Sequence, residues 1–222
     1  MIKKSVPWHW HDEFEAVIVS EGTALIAAGT KKYTLKQGEG IFINAGILHA
    51  AWSKNCSICH LHSITFHPRL IGGSIDSIFW HNYVQPLLTN PIVKHIHLDS
   101  SQAWHKEATH AIESAWNSCA NEPFGYEFQV RSSLSQLILH LSAYHPVISR
   151  QPSEKVLRNS NRLKLMLQFI QDHYHDQINV SMIADTAMIS ESECLRCFRN
   201  IIGIPPIQYL KQFRIQKAVE FL

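Results

Sequence analysis

The first candidates for chemistry in this sequence are two histidines and a glutamate near the amino terminus. His9, His11 and Glu15 stand at alternate, odd-numbered positions, and Val17 and Val19 continue the same series. Because alternate residues of an extended strand point to one side, a single strand through this segment would project all three polar groups to one face. Imidazole and carboxylate groups bind borderline divalent metals such as zinc, iron, manganese or nickel. The spacing therefore predicts a polar site on one strand.

Two motifs extend this site. The pattern H-x-H-x3-E-x6-G ends at Gly22, and a second segment runs from Gly38 through Asn44 to His49. Together they resemble the two motifs of the cupin family in the right order. Asn44 stands where that family usually has proline, and Ser53 where it usually has asparagine. The resemblance implies a small β-barrel with one set of metal ligands: His9, His11, Glu15 and His49.

A second interpretation of the same residues is an effector pocket, because polar groups inside a barrel can also hydrogen-bond a small organic ligand or each other. Trp8, Trp10, Phe42 and Trp52 would supply apolar or stacking walls, although core packing is the simpler role for each. The predicted effector-binding set is His9, Trp10, His11, Glu15, Phe42, His49 and Trp52. The complete ligand set also leaves open a metal-dependent cupin enzyme, a dioxygenase or an isomerase.

The composition is that of a folded chain. Apolar residues make up 45% and charged residues 17% of 222 residues, which excludes a disordered protein. The net charge of +2 excludes a histone-like or polyanionic protein. No apolar run approaches the roughly 18 residues of a membrane span, and no signal peptide opens the chain. With five cysteines read as reduced thiols, the sequence predicts a cytoplasmic protein without a membrane partner.

The elements that would position these residues change along the chain. Short β-branched runs between glycine-containing turns predict strands at 16–20, 24–28, 32–35, 40–44 and 58–66. Apolar residues at helical spacing then predict an antiparallel helix pair at 101–120 and 127–144. A polar stretch with two prolines at 146–161 predicts a linker, and the remainder is helical.

The C-terminal segment carries local signals for two helices joined by a tight turn. Ser190 followed three residues later by Glu193 is typical of a capping box at a helix start, and Gly203 is typical of a helix end. These signals predict a helix at 191–202 after a short helix at 182–187, which is the helix-turn-helix arrangement.

The residues of this segment resemble the first helix-turn-helix and following linker helix of the AraC/XylS family of transcriptional regulators. The matching residues are Ile183-Ala184, Ile189-Ser190, Leu195-Arg196, Phe198-Arg199, Gly203, Pro205-Pro206, Tyr209-Leu210, Arg214-Ile215 and Ala218. A cupin-type sensor ahead of this segment is that family's domain order. The resemblance implies an α+β protein that is a ligand-responsive, homodimeric regulator with DNA and a small-molecule effector as partners.

The resemblance also implies a domain organisation for the chain. The expected parts are a cupin-like effector-binding barrel at 1–100, a dimerisation helix pair at 101–145, the linker at 146–161 and the helix-turn-helix segment at 162–222. Arg196 is the candidate for a bidentate contact to guanine in the major groove. The candidate DNA-binding set is Ser192, Glu193, Leu195, Arg196, Arg199, Asn200 and Lys211.

Three departures from the family pattern modify this expectation. Met188 stands in the turn where many members have glycine, which predicts a strained or altered turn. Glu191 and Glu193 add negative charge to the helix that should approach phosphates. The sequence ends at Leu222, inside the linker helix, where the family normally continues to a second helix-turn-helix. We therefore expect a truncated DNA-binding domain that binds DNA more weakly.

Overall fold

The computed structural model describes residues 5–53, 58–90, 92–145 and 154–220. Its contacts separate two compact units. The barrel unit comprises the described residues up to Val6 and from Trp10 to His145, and the helical unit comprises Pro7–His9 and the described residues from Glu154 onward. No helix in the described ranges is both long and apolar enough to cross a membrane.

The strands of the barrel are β1 (Ser5–His9), β2 (Phe14–Glu21), β3 (Thr23–Ala28), β4 (Lys31–Lys36), β5 (Gly40–Ile43), β6 (His49–Ser53), β7 (His60–Phe66) and β8 (His95–Leu98). They form two four-stranded sheets, with strand orders β1-β6-β3-β4 and β7-β2-β5-β8. Apolar residues of both sheets pack against each other in the barrel interior, among them Val17 of β2, Ile26 of β3, Leu35 of β4 and Ile41 of β5.

A second core lies on the other face of the sheet that contains β2 and β5. Phe14 and Phe42 point to this face and pack with Ile112 and Leu134 of a helix pair. Each such buried side chain contributes roughly 1.5–3 kcal/mol of transfer free energy. The pair consists of α3 (Ala103–Asn121) and α4 (Tyr126–Tyr144), which follow α1 (Arg69–Gly72), a π-helical turn (Trp80–Val84) and α2 (Gln85–Thr89).

Asn44, which directly follows β5, forms hydrogen bonds with the segment that precedes β8. Its side chain is 4% exposed, and its amide nitrogen donates to the carbonyls of Leu87 at 2.8 Å and Val93 at 2.7 Å. Its amide oxygen accepts from the backbone nitrogen of Ala45 at 2.8 Å. A proline, usual here in the motif that the sequence resembles, supplies none of these hydrogen bonds.

The helical unit consists of α5 (Glu154–Asp172), α6 (Val180–Thr186), α7 (Glu191–Ile201) and α8 (Pro206–Glu220). Two side-chain caps fix its short helices. Asn179 accepts from the backbone nitrogen of Met182, and Ser190 accepts from that of Glu193. Buried side chains from all four helices, including Leu167, Ile183 and Phe198, form its core.

The structure corrects two expectations about these elements. His9 and Glu15 do not share a strand, because the chain bends at residues 10–13 between β1 and β2. The expected linker at 146–161 is wrong for its second part, since α5 begins at Glu154; residues 146–153 lie outside the described ranges. The strands Ser5–His9, His49–Ser53 and His95–Leu98 were not predicted, because each is short and lacks a β-branched run.

Candidate functional site

The polar site forms where three strands of the barrel begin or end. His9 ends β1, Glu15 lies near the start of β2, and His49 begins β6, while His11 lies in the bend between β1 and β2. One potential ligand atom from each of these four residues lies within 4.8 Å of the others. The four residues named from the sequence therefore come together, although not through the single strand that their spacing suggested.

Glu15 is the centre of this cluster. Its Oε2 lies 2.6 Å from Nε2 of His49 and 3.4 Å from Nε2 of His11. Its other oxygen accepts a 2.6 Å hydrogen bond from the hydroxyl of Ser63 on β7. Ser63 was not predicted, because nothing in the local sequence shows that β7 pairs with β2.

Backbone carbonyls orient all three imidazoles. The Nδ1 atoms of His9, His11 and His49 lie 2.9, 3.1 and 2.7 Å from carbonyl oxygens two residues away. A carbonyl can only accept, so each Nδ1 carries the hydrogen. In a neutral ring, Nε2 then has a lone pair, and at His11 and His49 this atom faces a carboxylate. Either a proton or a metal cation must lie between such groups.

The electrostatics of the cluster fit this description. Burial raises the pKa of Glu15, but hydrogen bonds from His11, His49 and Ser63 outweigh burial and hold it well below its usual range. The hydrogen bond to Glu15 raises the pKa of His11 above its ordinary value. Without a metal, the site therefore favours a charged carboxylate beside a protonated imidazole.

The predicted aromatic walls of the effector pocket are wrong for two residues. Glu15 pairs with Ile43, which faces the barrel interior, so the neighbouring Phe42 faces the opposite side and is fully buried against the helix pair. Trp52 pairs with Leu25, one position from interior Ile26, and so points away from the interior. Trp10 lies half-buried in the bend before β2.

In the helical unit, α6 and α7 form the predicted helix-turn-helix. Met188 in the turn between them has a φ of 50° and is 90% exposed. The strained turn expected from its position is therefore present, because a left-handed backbone is unfavourable for a residue with a side chain. Cys194, Cys197 and Phe198 are buried and turn one face of α7 into the core.

The opposite face of α7 carries the candidate DNA-binding side chains. Ser192, Arg196, Arg199 and Asn200 are exposed, as is Lys211 on α8, whereas Glu193 and Leu195 are half-buried. Ser190 caps the helix as predicted, but the carboxylate of Glu193 turns toward two arginines. Its Oε1 lies 3.0 Å from Nη1 of Arg162 on α5 and 3.2 Å from Nη2 of Arg196.

Comparison with known families agrees with this architecture. The family model for the AraC-like ligand binding domain matches residues 2–143, and the chain belongs to this family. It is 29% identical over 217 residues to an uncharacterized HTH-type transcriptional regulator, YdeC of Bacillus subtilis, covering 98% of this chain and 73% of that protein. It is 23% identical over 218 residues to the HTH-type transcriptional activator RhaS of Shigella sonnei, covering 97% and 73%.

Among solved structures, ToxT from Vibrio cholerae matches with a TM-score of 0.50 at 11% identity, covering 94% of each chain, which is a likeness of fold. The AraC-type resemblance of the sequence is confirmed, and the protein is a ligand-responsive transcriptional regulator. The enzyme alternative finds no support, since the matched relatives are regulators of transcription.

Proposed function

We propose that this regulator senses its ligand through the cluster of His9, His11, Glu15 and His49 and binds DNA through α7 in the cytoplasm. The ligand acts by shifting a population between two arrangements of the protein. It can do so only if it binds one arrangement more tightly than the other.

The ligand that the cluster fits best is a divalent transition metal, sensed alone or as the bridge to an organic effector. The observation that carries this proposal is the orientation of the imidazoles. Nδ1 of each ring is held by a carbonyl, and Nε2 of both His11 and His49 faces the Glu15 carboxylate. Metal-binding histidines are usually fixed through their second nitrogen in this way.

Thermal unfolding of chelator-treated protein in Zn²⁺, Mn²⁺ or Ni²⁺ tests this assignment. A metal at 100 times its Kd stabilises the native state by about 2.7 kcal/mol. Glu15→Gln and His49→Asn should abolish the rise in Tm. His60→Asn is the matched control, because His60 pairs with Glu21 at an exposed position. An equal rise in Tm for all variants would mean that the metal binds elsewhere. No rise in Tm for the wild type would refute the proposal that the cluster binds a metal.

DNA recognition is assigned to the exposed face of α7. We expect Arg196 to read a base, and Arg199, Asn200 and Lys211 to contact phosphates. Duplexes selected by the wild type from a randomised library provide the test. Arg196→Ala should cost roughly 1–3 kcal/mol and relax one position, whereas Arg199→Ala and Lys211→Ala should weaken all sequences alike. Binding without sequence preference in the wild type would refute this proposal.

A homodimer through the helix pair is the third part of the proposal. Phe128 and Leu139 on α4 are 79% and 44% exposed, and they lie eleven positions apart, which is about three helical turns. Large apolar side chains on one exposed face are typical of an interface. Sedimentation should give a dimer for the wild type and a monomer for Phe128→Glu/Leu139→Glu, and a monomeric wild type would contradict it.

A further inference from the structure

Glu193 belongs to α7, the helix proposed to bind DNA, and its side chain lies between two arginine side chains. Its Oε1 accepts a hydrogen bond from Arg162 at 3.0 Å and from Arg196 at 3.2 Å. The three side chains differ in exposure: Arg162 is 27%, Glu193 is 32% and Arg196 is 67% exposed. The partly buried Arg162 and Glu193 thus form a support for the exposed Arg196.

The support is fixed at both ends. The backbone nitrogen of Glu193 donates to Ser190, the cap of α7, which holds the first turn in place. Arg162 approaches from α5, another helix of the same unit. Arg196 follows Glu193 by three positions, so the two side chains lie on one face of α7.

We propose that Glu193 is a positioning residue that determines sequence specificity by holding the guanidinium of Arg196 ready for a base. This inference rests on the proposed function. A guanidinium has five N–H donors, so one bond to Glu193 leaves the rest for a bidentate contact with guanine. Holding the side chain in advance removes part of the ordering cost that binding would otherwise impose.

Arg162 explains how a carboxylate is tolerated near DNA. Two positive charges and one negative charge leave the group with one net positive charge. Glu193 therefore orders Arg196 without making this face of α7 repel phosphates. The separate effects on specificity and on charge allow a test.

The test compares Glu193→Gln with Glu191→Gln. Both remove one negative charge from the first turn of α7, and Glu191 is exposed. Affinities are measured by fluorescence anisotropy over a salt series, for the duplex selected by the wild type and for a scrambled duplex of equal length. Both variants should bind the scrambled duplex more tightly, because phosphate attraction increases. Only Glu193→Gln should lower the ratio of specific to scrambled affinity, by about 2- to 10-fold.

A second variant keeps the test decisive if Glu193→Gln unfolds, as judged by circular dichroism. Arg162→Met removes one positive charge, so affinity for the scrambled duplex should fall. It also frees Glu193 from α5, so Arg196 is held less firmly and the ratio should fall as well; an unchanged ratio would overturn the role of Glu193. Equal ratios for Glu193→Gln, Glu191→Gln and the wild type would overturn the role of Glu193. A wild type without sequence preference would instead overturn the proposed function.

Discussion

The turn of the helix-turn-helix offers a direct measurement of backbone strain. Met188 has a φ of 50°, and its 90% exposed side chain leaves little packing to lose. A left-handed conformation costs a residue with a side chain roughly 1–2 kcal/mol. Glycine removes that cost but loses about 0.4–1 kcal/mol through the greater freedom of the unfolded chain. Met188→Gly should therefore stabilise the helical unit by about 0.5–1 kcal/mol.

Scanning calorimetry can follow this change in the full chain, with the transition of the helical unit separated from that of the barrel unit. For a unit of this size, the expected gain raises Tm by about 2–8 °C. Met188→Ala is the matched control, since it removes the side chain but keeps the unfavourable φ. The reasoning is refuted if Met188→Gly melts at or below the temperature of Met188→Ala.

Two further predictions concern the barrel unit. Asn44→Ala removes the hydrogen-bond donor to the buried carbonyls of Leu87 and Val93. It should therefore lower the free energy of unfolding, measured with urea, by about 2–4 kcal/mol. A loss below about 0.5 kcal/mol would contradict this prediction. Burial, assisted by Lys31 and Lys94, lowers the pKa of His95 to about 4. Because the native state then binds fewer protons than the unfolded state, the wild type should lose stability as pH falls from 6.5 toward 4. His95→Asn should remove this pH-dependent loss of stability. If the wild type and His95→Asn show the same dependence of Tm on pH, the role of His95 is refuted.

The helical unit was the more predictable part of the chain, because its signals are local. Ser190 caps α7 through a backbone nitrogen three residues away, and Met188 occupies a turn whose φ follows from the neighbouring helices. The contact of Glu193 with Arg162 spans 31 residues and depends on how α5 packs on α7. Such a contact leaves no mark in local spacing.

The barrel site was predicted in its members but not in its construction. The motif that the sequence resembles includes His9, Glu15 and His49, and the structure brings them together. Placing His9 and Glu15 on one strand was wrong, because alternation holds only within an unbroken strand. Phe42 and Trp52 were misplaced for a related reason: side-chain direction depends on register, and pairing partners fix the register.

The two faces of β2 have a consequence for how ligand preference can change. Side chains alternate along β2. Glu15 and Val17 face the barrel interior, whereas Phe14 and Ala16 face the opposite side and belong to the core that packs on the helix pair. A substitution that displaces β2 to suit a new ligand therefore also disturbs the helix surface behind it. Strand β3 lies in the other sheet, and none of the described residues of that sheet belongs to the core that packs on the helix pair. Variation in ligand choice should therefore accumulate on β3, whose Ala28 pairs with His49 of the cluster and packs in the barrel interior rather than in the helix-pair core.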